Sequence, residues 1–164
     1  MPTGTNAGHT FLKLDSGMTE ILRPSLYGAQ HPLAVIAGGT AIAASAHQGA
    51  GEQARGTRRY VVVGHCCESG DILTPGPLEP EVVMERELPE AAVGDILMVG
   101  GAGAYCSSMA TKHYNSFPEA AEVMVASNGE LHLIRSRQAL EQLWQNEVSL
   151  PTQHVAAAAA TSKL

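Results

Sequence analysis

The chain has 164 residues, 45% of them hydrophobic, and a formal net charge of −6. This length fits one domain with a modest core, and the apolar content favours a folded chain. The absence of clustered Lys and Arg argues against nucleic-acid binding, and no apolar run approaches the roughly 18 residues of a membrane helix.

The three cysteines Cys66, Cys67 and Cys106 are an odd number in a sequence without a secretory leader. Adjacent positions disfavour a disulfide between Cys66 and Cys67, so we expect reduced thiols in a cytoplasmic protein. The final Ser162-Lys163-Leu164 matches a peroxisomal address. Because a low-complexity tail can end this way by chance, the cytoplasm remains the expected location.

Short predicted strands alternate with turn signals along the chain. They cover His9 to Leu14, Leu33 to Ile36, Arg59 to Val63, Ile96 to Val99, Glu122 to Ala126 and Glu130 to Ile134. Asn128-Gly129 is a favoured hairpin turn, and a further turn is predicted over Glu87 to Asp95. This pattern predicts an all-β barrel or sandwich with little helix.

Other segments depart from the strand pattern. Ser136 to Glu147 has the apolar spacing of a short amphipathic helix, and Pro24 favours an extended or turn geometry at Arg23. Residues 1–150 are assigned to one β domain, in which the Ala- and Gly-rich stretch 37–56 is a loop or insertion. Residues 151–164 are expected to be a flexible tail.

The strand ending at Val63 runs into Gly64-His65-Cys66-Cys67-Glu68-Ser69-Gly70-Asp71, where a thiol and a carboxylate stand side by side. Strand ends that turn through glycine often carry functional groups. A free Cys is more often a small buried hydrophobe, and an isolated Glu more often a surface charge. Cys67 and Glu68 therefore indicate a functional site only in combination with the motifs around them.

Several motifs occur in a fixed order between Thr10 and Glu147. They are Asp15-Ser16-Gly17-Met18, Arg23-Pro24-Ser25-Leu26-Tyr27, Cys67-Glu68-Ser69-Gly70-Asp71, Gly103-Ala104-Tyr105, Tyr114-Asn115 and Glu122-Val123. In this order they resemble the C-terminal β domain of diaminopimelate decarboxylase, a fold-type III pyridoxal-phosphate enzyme. The resemblance implies a Greek-key β-barrel or sandwich with one or two short helices.

The resemblance also implies roles for five residues. Cys67 would be the proton donor that reprotonates the α-carbon after CO₂ leaves, since a thiol of ordinary pKa about 8.5 is protonated near pH 7. Arg23 and Tyr27 would bind a substrate carboxylate, Glu68 a substrate amino group, and Tyr105 both cofactor phosphate and substrate. Cys66 would serve packing, and Asp71 and Asn115 would be structural through turn bonding.

The family's cofactor, pyridoxal 5′-phosphate, is held mainly by an N-terminal (β/α)₈ barrel, and Cys67 and Glu68 would act across a homodimer interface. Neither the barrel nor its cofactor lysine is present: Lys13, Lys112 and Lys163 are the three lysines. We therefore expect the chain to be inactive alone and to require a barrel domain or chain.

Three alternatives stay open. The chain could serve a decarboxylase for another basic amino acid or polyamine precursor, or it could be a non-catalytic module that docks on a related decarboxylase. A metal-binding β-barrel is disfavoured, because the histidines are scattered without H-x-H, H-E-x-x-H or C-x-x-C spacing. They are His9, His31, His47, His65, His113, His132 and His154. No metal site is predicted.

Overall fold

The computed structural model describes residues 8–38 and 55–150. The predicted insertion at 37–56 lies almost wholly outside the described residues, and the predicted tail at 151–164 lies entirely outside them. The chain divides into two compact units, Met1–Ala120 and Ala121–Leu164. In the part of the chain that is described, no helix is long and apolar enough to cross a membrane.

The described part of the first unit is built mainly from short strands. These are β1 (Phe11–Lys13), β2 (Leu33–Ile36), β3 (Thr57–Val63), β4 (Pro75–Gly76), β5 (Glu79–Val83), β6 (Arg86–Pro89) and β7 (Ile96–Val99). One sheet has the order β1-β3-β6, and β2-β7 and β4-β5 form two-stranded sheets. The mainly β expectation is confirmed, although pairing among the described strands does not close a barrel.

β3 is the central strand of the three-stranded sheet. β1 pairs with it in parallel, with Phe11 opposite Val61, and β6 pairs antiparallel, with Leu88 opposite Arg58. Tyr60, Val61 and Val62 are buried, as expected of a β-branched and aromatic run between two neighbours. β3 ends at Val63, which is still paired with Lys13 of β1, and the following loop leaves the sheet from there.

The strand predictions succeed where apolar runs are clear. β2 and β7 have the predicted bounds, and the ends of β1 and β3 lie within two residues of the predicted ones. The turn predicted over Glu87 to Asp95 is wrong in its first part, because Arg86–Pro89 pairs with β3 as the strand β6. Pro89 suits that strand's end, where the pairing stops.

The core of the first unit lies around β3. Its buried members come from five separate parts of the chain: Ile21, Tyr60, Val62, Leu73, Leu88 and Cys106. Partly buried residues of β1, β2 and β7 pack against them. Burial on this scale stabilises each large side chain by about 1.5–3 kcal/mol. Ile21, before β3, and Cys106, after β7, are therefore both anchored in the core around β3.

A five-residue helix, α1 (Arg23–Tyr27), corrects the prediction at Arg23. Arg23 is the first helical residue and not extended, because Pro24 stands in the first turn, where proline's missing N–H is not needed. Gly28 ends the helix with a left-handed φ of 64°, and its N–H donates to carbonyls of the helix. A Cβ at Gly28 would meet the backbone of Leu78 and Glu79, so glycine is required there.

The second unit contains a hairpin of β8 (Glu122–Val125) and β9 (Leu131–Arg135), as predicted. Gly129 takes the positive φ of 86° that the turn requires. The amphipathic helix predicted over Ser136 to Glu147 is wrong: only a 3₁₀ turn, Leu140–Leu143, forms there. Leu140 and Trp144 remain about half exposed, so little burial favours a longer helix.

Candidate active site

The loop of residues 64–71, here the 64–71 loop, is closed at its base by the sheet. Val63 and Ile72 form an antiparallel bridge, and the Gly64 N–H donates to the Asp71 carbonyl at 2.9 Å. The Leu73 N–H donates to Val62 at 2.9 Å. Cys66, Cys67 and Glu68 therefore lie at the tip of a loop whose two ends are fixed by backbone pairing.

The Asp71 carboxylate lies beneath this loop and is almost completely buried. Its Oδ1 accepts the Met18 N–H at 2.8 Å, and its Oδ2 accepts the Cys66 N–H at 2.9 Å. A Cβ at Gly17 or Gly64 would collide with this carboxylate. Both glycines are therefore needed for the backbone to approach Asp71, whose predicted structural bonding is observed.

The three thiols have different environments. Cys106 is buried in the core, Cys66 is half-buried and Cys67 is exposed. Burial, reinforced by the charge and hydrogen bond of Asp71, raises the pKa of Cys66 to about 11. Cys67 is thus the accessible thiol of the 64–71 loop, and the Asn115 Oδ1 accepts its backbone N–H at 2.8 Å.

The Glu68 side chain is exposed but held at both carboxylate oxygens. Oε2 accepts the Tyr114 hydroxyl at 2.8 Å, and Oε1 accepts the Gly70 N–H at 3.2 Å. The Tyr114 bond is the main reason that the pKa of Glu68 is lowered, and the same bond raises the pKa of Tyr114. Glu68 is therefore a fixed carboxylate that stays ionised at neutral pH.

His65 provides a third fixed point in the 64–71 loop. Its ring stacks on Phe117, with centroids 3.6 Å apart and planes 7° from parallel. Its Nε2 lies 2.8 Å from the Thr19 Oγ1, whose hydroxyl donates to Glu20 at 2.5 Å. These contacts join the loop to the segments before α1 and after Tyr114, and nothing in the sequence pattern indicated them.

The predicted carboxylate-binding pair lies on α1. Arg23 and Tyr27 are four residues apart, so they project from the same side of the helix. Arg23 is half-buried and Tyr27 is 49% exposed. Within the described residues no hydrogen bond joins either side chain to the 64–71 loop, so their grouping with Cys67 remains a prediction.

Tyr105 is 64% exposed and has a left-handed φ of 56°, which is uncommon for a residue with a large side chain. The next residue, Cys106, is buried in the core and its thiol lies 3.4 Å from the Ala104 carbonyl. The core thus anchors the chain while the phenol points outward. No bond joins Tyr105 to the other predicted site residues in the described ranges.

The lysines and the potential metal ligands of the described residues have other environments than a cofactor or metal site requires. Lys112 is ion-paired with Glu119 at 2.8 Å, and Lys13 is an exposed residue of β1. No group of three His, Cys, Asp or Glu side chains among residues 8–38 and 55–150 could hold a metal ion. The exposed Tyr105 phenol fits a single contact to a phosphate, whereas the remainder of a pyridoxal-phosphate pocket would need other residues.

Comparison with protein families identifies a match over most of the chain. The family described as pyridoxal-dependent decarboxylase, C-terminal sheet domain, matches residues 3–103. That range includes Arg23, Tyr27, Cys67 and Glu68. Tyr105 lies just beyond it.

Individual relatives match over most of this chain. Diaminopimelate decarboxylase of Buchnera aphidicola subsp. Baizongia pistaciae is 35% identical over 140 residues, which are 85% of this chain and 30% of the relative. The Escherichia coli K12 enzyme of the same name is 37% identical over 133 residues, 81% of this chain and 29% of the relative. The chain thus spans about 30% of the length of these curated relatives.

Solved structures agree with these relatives. A crystal structure of diaminopimelate decarboxylase superposes with a TM-score of 0.71 at 35% identity, covering 87% of this chain and 31% of that one. The Helicobacter pylori diaminopimelate decarboxylase complexed with L-lysine gives a TM-score of 0.61 at 34% identity, covering 82% and 27%. The arrangement of strands described above is therefore shared with enzymes of this name.

Proposed function

This chain belongs to the pyridoxal-dependent decarboxylases, as a C-terminal sheet domain of that family, and from this premise we propose that it is the C-terminal part of a diaminopimelate decarboxylase. The reaction removes CO₂ from meso-2,6-diaminopimelate and gives L-lysine. Relatives of that name at 35–37% identity support the substrate. Because the chain spans about 30% of their length, a pyridoxal-phosphate-binding barrel and a second subunit supply the rest of the site.

The observation that carries this proposal is the exposed Cys67 beside Glu68, on a loop held by Asp71 and Asn115. When the α-carbon loses CO₂ it must gain a proton. The Cys67 thiol lies on the outside of the loop and gives this proton, and the resulting thiolate regains one from solvent. Cys66 cannot replace it readily, because it is half-buried and its raised pKa disfavours release of a proton.

Glu68 binds a substrate amino group. Its lowered pKa keeps the carboxylate charged. Oε1 accepts the Gly70 N–H and the Ser69 hydroxyl, whereas Oε2 retains a lone pair beyond the bond from Tyr114. An ammonium group of a diamino acid complements this charge. The Glu68 carboxylate is therefore already ionised and oriented before a basic substrate binds.

Arg23 and Tyr27 bind a substrate carboxylate from one side of α1. The guanidinium offers a planar pair of donors and the phenol a further one. Pyridoxal phosphate, when bound, withdraws electrons from the carbon that loses CO₂. Tyr105 donates to its phosphate and packs beside the substrate, while the barrel holds the cofactor itself.

The test is reconstitution of the two parts. We would co-produce the full chain with the N-terminal part of the Escherichia coli relative, add pyridoxal phosphate, and measure CO₂ and lysine from meso-2,6-diaminopimelate. Both products should appear in equal amounts, and only when both chains are present. A complex that forms and binds the cofactor, yet releases no CO₂ from this substrate, would contradict the proposal.

The same preparations separate the alternatives. CO₂ release from ornithine or arginine in place of diaminopimelate would favour a decarboxylase for another basic amino acid. Inhibition of the intact Escherichia coli enzyme by this chain would favour a docking module without a catalytic role.

A further inference from the structure

The residues around Tyr114 form a turn with an unusual backbone, here the 113–116 turn. His113, Asn115 and Ser116 have φ values of 63°, 51° and 62°, all in the left-handed region. Side chains other than glycine rarely adopt it, and Asn tolerates it better than most. A backbone like this persists only where surrounding contacts hold it.

Contacts on both sides hold the turn. The Tyr114 N–H donates to Thr111 at 3.2 Å, and Thr111 in turn donates its N–H and its hydroxyl to the Met18 carbonyl, at 3.1 and 2.8 Å. The Met18 N–H donates to Asp71. The 113–116 turn and the 64–71 loop are thus fastened to the same residue, Met18, one through its carbonyl and the other through its N–H.

Two further bonds cross directly from the turn to the loop. The Asn115 Oδ1 accepts the Cys67 N–H, and the Tyr114 hydroxyl donates to the Glu68 Oε2, both at 2.8 Å. They join residues 48 and 46 positions apart in the chain. Asn115 therefore holds Cys67, and its neighbour Tyr114 holds Glu68.

We propose that Tyr114 and Asn115 are positioning residues, which set the direction of the Glu68 carboxylate and the location of the Cys67 thiol. This inference rests on the proposed function and assigns a role to two residues outside its reacting groups. Glu68 is exposed, and without Tyr114 it would be held by bonds from its own loop, which are those of the Gly70 N–H and the Ser69 hydroxyl to Oε1. The Tyr114 bond fixes Oε2 from outside the loop, and the left-handed turn lets the phenol and the amide reach neighbouring residues together.

The first test is made on the full chain without any partner. Side-chain ¹³C NMR follows the titration of Glu68 in the wild type and in Tyr114→Phe. Loss of the phenolic hydroxyl should raise the Glu68 pKa toward the ordinary range, because that bond is the main cause of its lowering. An unchanged titration would overturn the proposal.

Tyr60→Phe is the matched control. It also removes one phenolic hydroxyl, which accepts the Ala91 N–H at 3.2 Å in the core. It should lower the thermal midpoint without moving the Glu68 titration. A Glu68 shift of equal size in both variants would show a general loosening of the fold and would contradict a specific role for Tyr114.

The second test uses the reconstituted enzyme. Tyr114→Phe should raise KM for diaminopimelate about tenfold, the effect of one well-directed hydrogen bond, with a smaller change in kcat. Asn115→Gly keeps the left-handed backbone accessible but deletes the acceptor for Cys67, so it should lower kcat more than it raises KM. Wild-type values of both constants in both variants would overturn the proposal.

The outcomes distinguish the two claims. Activity of the wild type with unaltered kinetics in the variants refutes the positioning role and leaves the decarboxylase function standing. If the wild-type complex releases no CO₂, the proposed function fails and the catalytic role of the turn fails with it, whatever the titration shows. A raised Glu68 pKa together with the kinetic split supports both.

Discussion

The buried carboxylate of Asp71 accepts the backbone N–H of Cys66, the residue directly before Cys67, at 2.9 Å. Its other oxygen accepts the Met18 N–H at 2.8 Å. One side chain therefore connects the 64–71 loop to the segment that leads into α1. The backbone at Cys67 is held by the Cys66 N–H bond to Asp71 and by its own N–H bond to the Asn115 Oδ1. The exposed Cys67 thiol is therefore not needed to hold the loop.

Replacing Asp71 should loosen this connection. In Asp71→Asn one oxygen becomes an NH₂ group facing a backbone N–H, so a buried donor loses its acceptor. We expect a loss of about 2 kcal/mol in the free energy of unfolding, in the range for a hydrogen bond to a charged group. Urea denaturation measures it, with the exposed Asp15→Asn as control. Equal stability of the two variants would refute the role of Asp71.

Gly64 is predicted to resist even a single added methyl group. A Cβ there would collide with the Asp71 carboxylate, whereas a Cβ at Gly8 meets nothing within 4 Å. Gly64→Ala should lower the thermal midpoint by several degrees, and Gly8→Ala should leave it nearly unchanged. Similar midpoints for both would mean that the loop does not approach Asp71 as described.

The three thiols should react in order of accessibility. At pH 8, iodoacetamide should label Cys67 first, because Cys66 is half-buried with a pKa raised to about 11 and Cys106 is buried. Peptide mass spectrometry over time measures the order. In urea all three should react alike, and Cys66 labelling as fast as Cys67 in the native chain would contradict the assignment.

Asp95 should make stability depend on acid pH. Its carboxylate accepts the N–H groups of Ala92 and Gly38 at 2.8 and 3.0 Å and is ion-paired with Arg55. The hydrogen bond from the Ala92 N–H is the largest cause, and that from the Arg55 side chain the next largest, of a pKa lowered from 3.8 to about 2 for Asp95. Since the folded-state pKa is depressed, this contribution is present above the unfolded-state value and is lost as the pH falls through the folded-state value.

The stability difference between the wild type and Asp95→Asn should therefore be constant at neutral pH and shrink between about pH 4 and pH 2. Urea denaturation across this interval measures the difference. Asp15→Asn, which removes an exposed carboxylate, provides the control. A wild-type advantage that survived unchanged at pH 2 would contradict the lowered pKa of Asp95.

Sequence patterns predicted the strands that are marked by a local run of apolar residues. β2 and β7 are apolar runs bounded by turn residues, and their limits could be read directly. β6 could not, because the Leu88-Pro89-Glu90 sequence is typical of a turn and only pairing with β3 makes Arg86–Pro89 a strand. The helix over Ser136 to Glu147 failed for a related reason, since an amphipathic pattern needs a surface to bury its apolar side.

The candidate site shows the same division. The adjacency of Cys67 and Glu68, and the structural bonding of Asp71, follow from a contiguous motif. The Tyr114 hydrogen bond to Glu68 could not be predicted, since it spans 46 residues and depends on left-handed backbone at three positions without glycine. The stacking of His65 on Phe117 could not be predicted either, because no sequence pattern relates these two distant positions.

The most direct test of the central claim compares two neighbouring cysteines in the reconstituted enzyme. CO₂ release from carboxyl-labelled meso-2,6-diaminopimelate would be measured for Cys67→Ala and Cys66→Ala, with cofactor binding checked in each. We predict that Cys67→Ala lowers kcat at least about a hundredfold, as loss of a general acid does, while Cys66→Ala keeps most of the activity. Full activity of Cys67→Ala would contradict the account.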